Sequence, residues 1–402
     1  MSGLLSGIRV VDLSRAIAGP YGSMVLADLG AEVIKIEQPE GDLSRFPTGP
    51  NYGGESYYYL AFNRNKKDLI LDLGTPSGKK ALYDLVRKSD VVWDNYRVGL
   101  LEELGAAYET LKKVNPKIIC CSITGYGSSG PYSGRLSYDV LVQALTGMLS
   151  ITGEPDGPPS KVGIALGDVI AGLFGVIGVL AALNWRNQTR EGSKIEVPML
   201  DSVISTMGYH FSYYFCSGVV PGRMGTQHLG LLPYGLYKAR DGYIALGPCW
   251  PRICRAINAE WLADDPRFKN LDERLKNRKE FVAILEERLS HADVDDWVNI
   301  FEAEDIGAAP VNTIDKAAED PQVLHNQMIL SLKHPLGGEV KLTGNPIKCE
   351  HLSQEEYTPP PVLGQNTREI LVDLLGYSEE EIGRLKQEAE ERTGVRKATR
   401  NV

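Results

Sequence analysis

Short apolar runs alternate with helical stretches through the amino-terminal third of the chain, and this alternation restricts the fold to a parallel α/β sheet. Ile8 to Leu13 reads as a buried strand, the Ala18-Gly-Pro-Tyr stretch as a turn, Tyr21 to Leu29 as a helix and Glu32 to Glu37 as a second strand. The pattern continues as a strand over 69–73, a helix over 78–89, a strand over 91–94, a helix over 100–113 and a strand over 117–122. A doubly wound Rossmann-like sheet follows, and its ligand belongs beyond the carboxyl ends of the strands. The loops 14–20, 95–99 and 124–134 are therefore expected to line a site.

After Leu200 the character changes. An aromatic stretch over 209–216 and a Gly- and Pro-rich stretch over 218–233 lead to a second unit, with a strand over 243–246, helices over 278–291 and 294–303, and a strand approach over 309–311. A charged helical stretch follows over 315–330, then a hairpin over 334–347 and a last helical pair over 367–375 and 378–391. A length of 402 residues suits two or three domains at ~150 residues each.

A net charge of -9 argues against a nucleic-acid partner. The six cysteines contain no C-x-x-C pair and no His at metal-ligand spacing, so reduced buried thiols and no bound metal are expected. The first residues lack a basic and apolar leader, which suggests a cytoplasmic protein. The apolar stretch 169–183 falls short of the ~20 residues that span a bilayer and reads as a core helix rather than a membrane segment. Its glycines Gly172, Gly175 and Gly178 leave one bare face where another backbone can approach. The first loop, Ser14-Arg-Ala-Ile-Ala-Gly-Pro, lacks the G-x-G-x-x-G spacing, so neither a nicotinamide nor a flavin cofactor is expected.

Asp168 ends the turn-rich stretch that begins at Gly153 and immediately precedes the uncharged run. There it is either a helix cap or a nucleophile, and the unpaired N–H groups and dipole of the helix start are expected to hold it ionised.

Several separated stretches resemble the class III coenzyme A transferases, whose relatives include formyl-CoA and carnitine-CoA transferases and the 2-methylacyl-CoA racemases. They are Gly7-Ile-Arg-Val-Val-Asp-Leu-Ser, Ala18-Gly-Pro, Leu29-Gly-Ala-Glu-Val-Ile-Lys-Ile-Glu, Asn63-Arg-Asn-Lys-Lys, Gly125-Tyr-Gly, Tyr138-Asp, Gln143-Ala, Thr152-Gly-Glu-Pro-Asp-Gly-Pro-Pro, Gly167-Asp and Pro361-Val-Leu-Gly-Gln-Asn-Thr. Their order and spacing, rather than any single piece, carry the resemblance.

The resemblance implies that Asp168 is a nucleophile that passes through a mixed anhydride and an aspartyl-CoA thioester, with coenzyme A entering and leaving as a thioester. It implies that Asn95 and Tyr96 hold the adenosine end of CoA, that Leu71 and Met199 contact the cofactor, and that Ala18 lies beside the thioester. Arg135 and Lys66 are candidates for its phosphates. It further implies a large domain made of both chain ends (1–200 and 346–402), a small central α+β domain (225–315), linkers at 201–224 and 316–345, and an interlocked ring-like dimer. The partner is a second copy or a paralogous subunit.

Tyr138 separates the branches. The racemases place a histidine there and a glutamate near 242–251, where this chain has a tyrosine and no acid. A phenol with a pKa near ~10 is a poor base at neutral pH, so the transferase reading is preferred over the racemase. A core aromatic is the other reading of Tyr138. Ile17 stands where formyl-CoA transferases carry a glutamine, which disfavours formate and oxalate and favours a larger, partly apolar acid. His228, in a loop that replaces a run of glycines, is a candidate contact for the acceptor. Arg15, Arg45 and Arg223 are candidate partners for a second carboxylate, which would suit succinate or a substituted succinate such as an arylsuccinate, and Arg15 is also a candidate contact for the cofactor. Asp168 as the nucleophile of an active transferase competes with a non-catalytic subunit that supports a paralogue.

Overall fold

The computed structural model describes the backbone of residues 3–46 and 49–400 and the side chains of these as far as Thr393. The chain divides into two compact units: residues 1–146, 162–211 and 322–402 form the first, and 147–161 with 212–321 the second.

The first unit is built on six parallel strands: β1 (Arg9–Asp12), β2 (Glu32–Glu37), β3 (Lys66–Ile70), β4 (Val91–Asp94), β5 (Ile119–Thr124) and β6 (Ser193–Pro198). Their order across the sheet is β3-β2-β1-β4-β5-β6. This is the Rossmann order, with the winding reversed between β1 and β4, so the crevice for a ligand opens beyond the ends of those two strands. Adjacent strand residues face opposite sides of the sheet. Val92 packs with the helix α3 (Pro76–Arg87) and with the carboxy-terminal residues Ile370, Leu371, Ile382 and Leu385 in one core. On the other face, the Trp93 ring meets the glycines of two helices, α1 (Ala18–Asp28) and the long helix Leu166–Thr189.

Strand β3 begins three residues earlier than the expected 69–73. Lys66 and Asp68 look too polar for a buried strand, yet both are buried and ion-paired. The single helix expected over 100–113 is two, Leu100–Leu104 and Tyr108–Val114, separated where Gly105 takes a φ of 72°. Residues 201–224 contain most of the helix Met199–Thr206 and the helix Gly208–Ser217. The hairpin strands are Ile329–His334 and Gly338–Thr343, inside the first unit.

The second unit holds a three-stranded antiparallel sheet over Gly235–Lys238, Tyr243–Leu246 and Ala308–Pro310. The helices Arg278–Leu289 and Val294–Ala303 pack on it through Phe281, Leu285, Leu289, Trp297 and Phe301. All six cysteines are free thiols, four of them buried.

Candidate active site

The crevice at the reversal between β1 and β4 is lined first by the loop 13–17, whose backbone is pinned group by group. Buried Asp12 accepts hydrogen bonds from the N–H and hydroxyl of Ser14 and from the hydroxyl of Ser23. The Lys35 ammonium donates to the Ser14 carbonyl at 2.7 Å and to Asp42 at 2.9 Å, and Asp42 accepts from the Ala16 N–H. Asn95, just past β4, donates to the Arg15 carbonyl and accepts from the Arg15 N–H, both at 2.8 Å. These bonds hold Ala16 at a φ of 62° and present Ile17 and Ala18 at the start of α1.

The carboxylates and amines below this loop satisfy one another. Burial drives the Asp12 carboxyl up, but Lys66 and Lys35 outweigh it and leave Asp12 below the usual carboxylate range. Burial likewise lowers the Lys66 amine to about 8, against the pull of Asp12. Lys66 is 4% exposed and donates to Asp12, Asn63 and the Pro20 carbonyl, so it is a structural cation and not a phosphate ligand. Arg45 is withdrawn from substrate in the same way, held by Glu37, Glu55, Asp68 and the Pro361 carbonyl.

Asp168 is carried by the long helix, now α5 (Leu166–Thr189), which begins three residues before the expected start at Val169. Gly172, one turn further, is the contact with α1. A Cβ there would lie 2.7 Å from the Ala18 carbonyl oxygen, and one at Gly22 would lie 2.8 Å from the Gly172 carbonyl oxygen. Residues four apart share a helix face, so Asp168 stands on the face of α5 that meets the 17–18 corner. Gly175 and Gly178 continue the bare face, against the rings of Trp93 and the side chain of Ile195.

Asp168 does not cap α5. Ala165 occupies the N-cap position with no side-chain bond, and no hydrogen bond or ion pair to the Asp168 carboxylate exists among the described residues. The Gly167 N–H is taken instead by Asp139 Oδ1 at 2.8 Å, from the helix α4 (Asp139–Leu145). The expectation that the helix end holds Asp168 ionised is corrected on the same grounds. Burial first, and the Asp139 charge second, push the carboxyl up to about 7. The carboxyl of the nucleophile candidate is thus raised toward neutrality, the range where general-base and nucleophilic groups operate.

The other candidates fall into groups. The Arg15 guanidinium lies 5.0 Å from the centre of the Tyr96 ring, beside Asn95, so these three share one wall of the crevice. Leu71, at the end of β3, is buried in the same core that Tyr96 packs against. Met199 is buried as the first residue of the helix that follows β6. Arg135 is exposed and stacks 3.8 Å from the Tyr132 ring centre, with no ion pair among the described residues. Tyr138 is 65% exposed, which excludes a core aromatic. His228 lies in the second unit, where its Nδ1 accepts from the Gly230 N–H and its ring meets Tyr234 edge-on. Arg223, in that unit too, donates to the carbonyls of Glu154 and Pro155.

Sequence reasoning missed Tyr58, on the short helix α2 of the first unit (Tyr57–Leu60). Burial and then the charge of Asp168 raise its hydroxyl to about 12, which places Tyr58 in the electrostatic field of the candidate nucleophile. Three consecutive tyrosines gave no periodic signal that could single it out.

A model of "CoA-transferase family III" matches residues 5–367. The chain belongs to this family. The transferase is 36% identical over 386 residues to the human succinyl-CoA:glutarate CoA-transferase, a match covering 95% of this chain and 88% of that one. It is 34% identical over 382 residues to the succinyl-CoA:mesaconate CoA-transferase of Haloarcula hispanica, covering 92% and 96%. Among solved structures, a CAIB/BAIF family protein from Brucella suis superposes with a TM-score of 0.84 at 34% identity, covering 93% of this chain and 100% of that one. The transferase thus moves coenzyme A from an acyl-CoA to a carboxylic acid.

Proposed function

We propose that this transferase moves CoA from succinyl-CoA to a second dicarboxylic acid, substituted succinates included, with Asp168 as the covalent carrier. The Asp168 carboxylate attacks the thioester carbonyl, forming a succinyl-aspartyl anhydride and expelling the CoA thiolate. The thiolate attacks the aspartyl carbonyl, releasing succinate and leaving Asp168 as the CoA thioester. The acceptor carboxylate then repeats the path in reverse: it forms a new anhydride with Asp168 and frees the thiolate, which takes the acceptor acyl group and regenerates the carboxylate. CoA lies along the wall of Arg15, Asn95 and Tyr96, with Leu71 and Met199 behind it and Arg135 toward its phosphates. Ala18, Tyr138 and the apolar Ile17 frame the acyl group.

The observation that carries this reading is a carboxylate with no hydrogen-bond or ion-pair partner among the described residues, raised toward neutrality at a rigid corner. The donor is supported by the several relatives whose names specify succinyl-CoA. An epimerase reading would need a base at Tyr138 and an acid within 242–251, and the chain has neither. The test is to supply the purified chain alone with succinyl-CoA and a panel of mono- and dicarboxylic acids, identifying the CoA products by mass spectrometry. Dicarboxylates are expected to accept CoA at least tenfold faster than monocarboxylates, and hydroxylamine added with succinyl-CoA is expected to leave a hydroxamate on Asp168. Exchange only in the presence of a paralogous subunit would establish a supporting role instead.

The transferase is further read as an interlocked dimer. The outer face of α5 exposes Leu173, Phe174, Ile177, Leu180 and Trp185, a contiguous apolar strip of the kind that marks an interaction surface. The strip also explains why α5, at 24 residues, is long and apolar enough to cross a membrane although its other face packs on the sheet. Light scattering is expected to give twice the chain mass of 44.1 kDa; a monomer at micromolar concentration would remove the dimer.

A further inference from the structure

Asp139 and Gln143 share one side of α4, one helical turn apart, and bond to each other. Their bonds form a short chain. Asp139 Oδ1 accepts from the Gly167 N–H at 2.8 Å, Asp139 Oδ2 accepts from Gln143 Nε2 at 2.7 Å, and Gln143 Oε1 accepts from the Val162 N–H at 3.1 Å. Gly167 is buried with its Cα tight against Asp139, since a Cβ there would lie 3.0 Å from Oδ1. Together the two side chains grip both ends of the segment 162–167, which leads into Asp168. A carboxylate from a separate helix thereby fills the capping position that Asp168 itself leaves open, on an N–H adjacent to the nucleophile.

We propose that Asp139 is a positioning residue for Asp168, capping α5 in its place so that the nucleophile's own oxygens stay unbonded, with Gln143 holding Asp139 in register. This rests on the reading of Asp168 as the covalent carrier. The same carboxylate supplies a like charge near the nucleophile, in keeping with the raised Asp168 carboxyl. Among the described residues, the titratable groups linked to Asp168 are Asp139 from α4 and Tyr58 from α2, while Tyr21 of α1 lies against Gly172 and Val203 of the helix Met199–Thr206 lies against Gly167.

The bonding chain suggests a test that separates geometry from charge. Asp139→Ala removes both. Asp139→Asn combined with Gln143→Glu keeps every bond, because the Asn oxygen accepts from Gly167, its amide donates to the new carboxylate, and that carboxylate accepts from Val162. The negative charge moves one turn away from Gly167. Formation of the hydroxylamine-trappable adduct from succinyl-CoA is followed against pH in each protein, with Asp168→Asn as the control for the covalent reading. Asp139→Ala is expected to slow adduct formation about a hundredfold at its pH plateau, the scale of a misplaced reacting group. The double variant is expected to recover to within about tenfold, with its acid limb about half a unit or more below that of the parent. A full-rate Asp139→Ala protein, or a double variant as slow as the alanine or with an unmoved acid limb, would overturn the proposal. Adduct formation by Asp168→Asn would instead overturn the covalent reading beneath it.

Discussion

Replacing Asp168 by Asn is expected to abolish CoA transfer, by at least about 10⁴-fold, and at the same time to make the protein more stable above neutral pH. The first effect follows from the proposed role of Asp168 as covalent carrier, because an amide neither attacks a thioester nor carries CoA. The second follows from linkage. The folded carboxyl is raised to about 7, so the fold prefers the protonated form. That preference stabilises the protein fully below the ordinary carboxylate pKa and is lost as pH rises through about 7. Asn has no charge to bury, so its stability advantage should open between about pH 4 and pH 7 and level off beyond. The plateau should be about 1–2 kcal/mol, less than the full shift implies because Asp168 is partly solvated. Chemical denaturation at pH 5 and pH 8 measures the difference. A simple helix cap predicts otherwise: Asn caps as well as Asp, so stability would not move with pH, and only Asp168→Ala would lose about 0.5–2 kcal/mol.

Gly172→Ala is expected to cost about 1–3 kcal/mol of stability and on the order of a hundredfold in activity. Its methyl would lie 2.7 Å from the Ala18 carbonyl oxygen, which belongs to a backbone held by the loop bonds and cannot turn aside. The helix must therefore shift away from α1, carrying Asp168 with it. Gly208→Ala, whose Cβ would meet nothing within 4 Å, is the control and should match the parent in turnover and in stability. A Gly172→Ala protein with parental turnover would show that the α1–α5 approach does not position Asp168 for the reaction.

The sheet was legible because buried parallel strands repeat one signal, an apolar run followed by a helix, and β2 and β4 match their expected ranges. Strand β3 was misplaced because its inward residues, Lys66 and Asp68, are charged, and only the assembled core supplies their partners. Asp168, Asn95 and Tyr96 were singled out by the family resemblance, yet their local state was not legible. A helix start suggests an ionised acid, but that inference needs free N–H groups, and the one from Gly167 is consumed by Asp139 from another helix. Asn95 reads as a ligand contact from its motif, whereas its amide also clamps Arg15 across the reversal of the sheet. Tertiary partners of this kind leave no mark on the residues that receive them.

Lys35 and Lys66, sealed beneath the Ser14–Ala18 loop, have a consequence for an enzyme that works among activated thioesters. Free amines on protein surfaces become acylated slowly by such compounds, and a loop anchored by solvent-facing lysines would lose its shape as the modification accumulated. Here both amines are enclosed and donate to carboxylate and carbonyl oxygens. The lysines that set the geometry of the crevice are thus shielded from chemical ageing by the enzyme's own substrates.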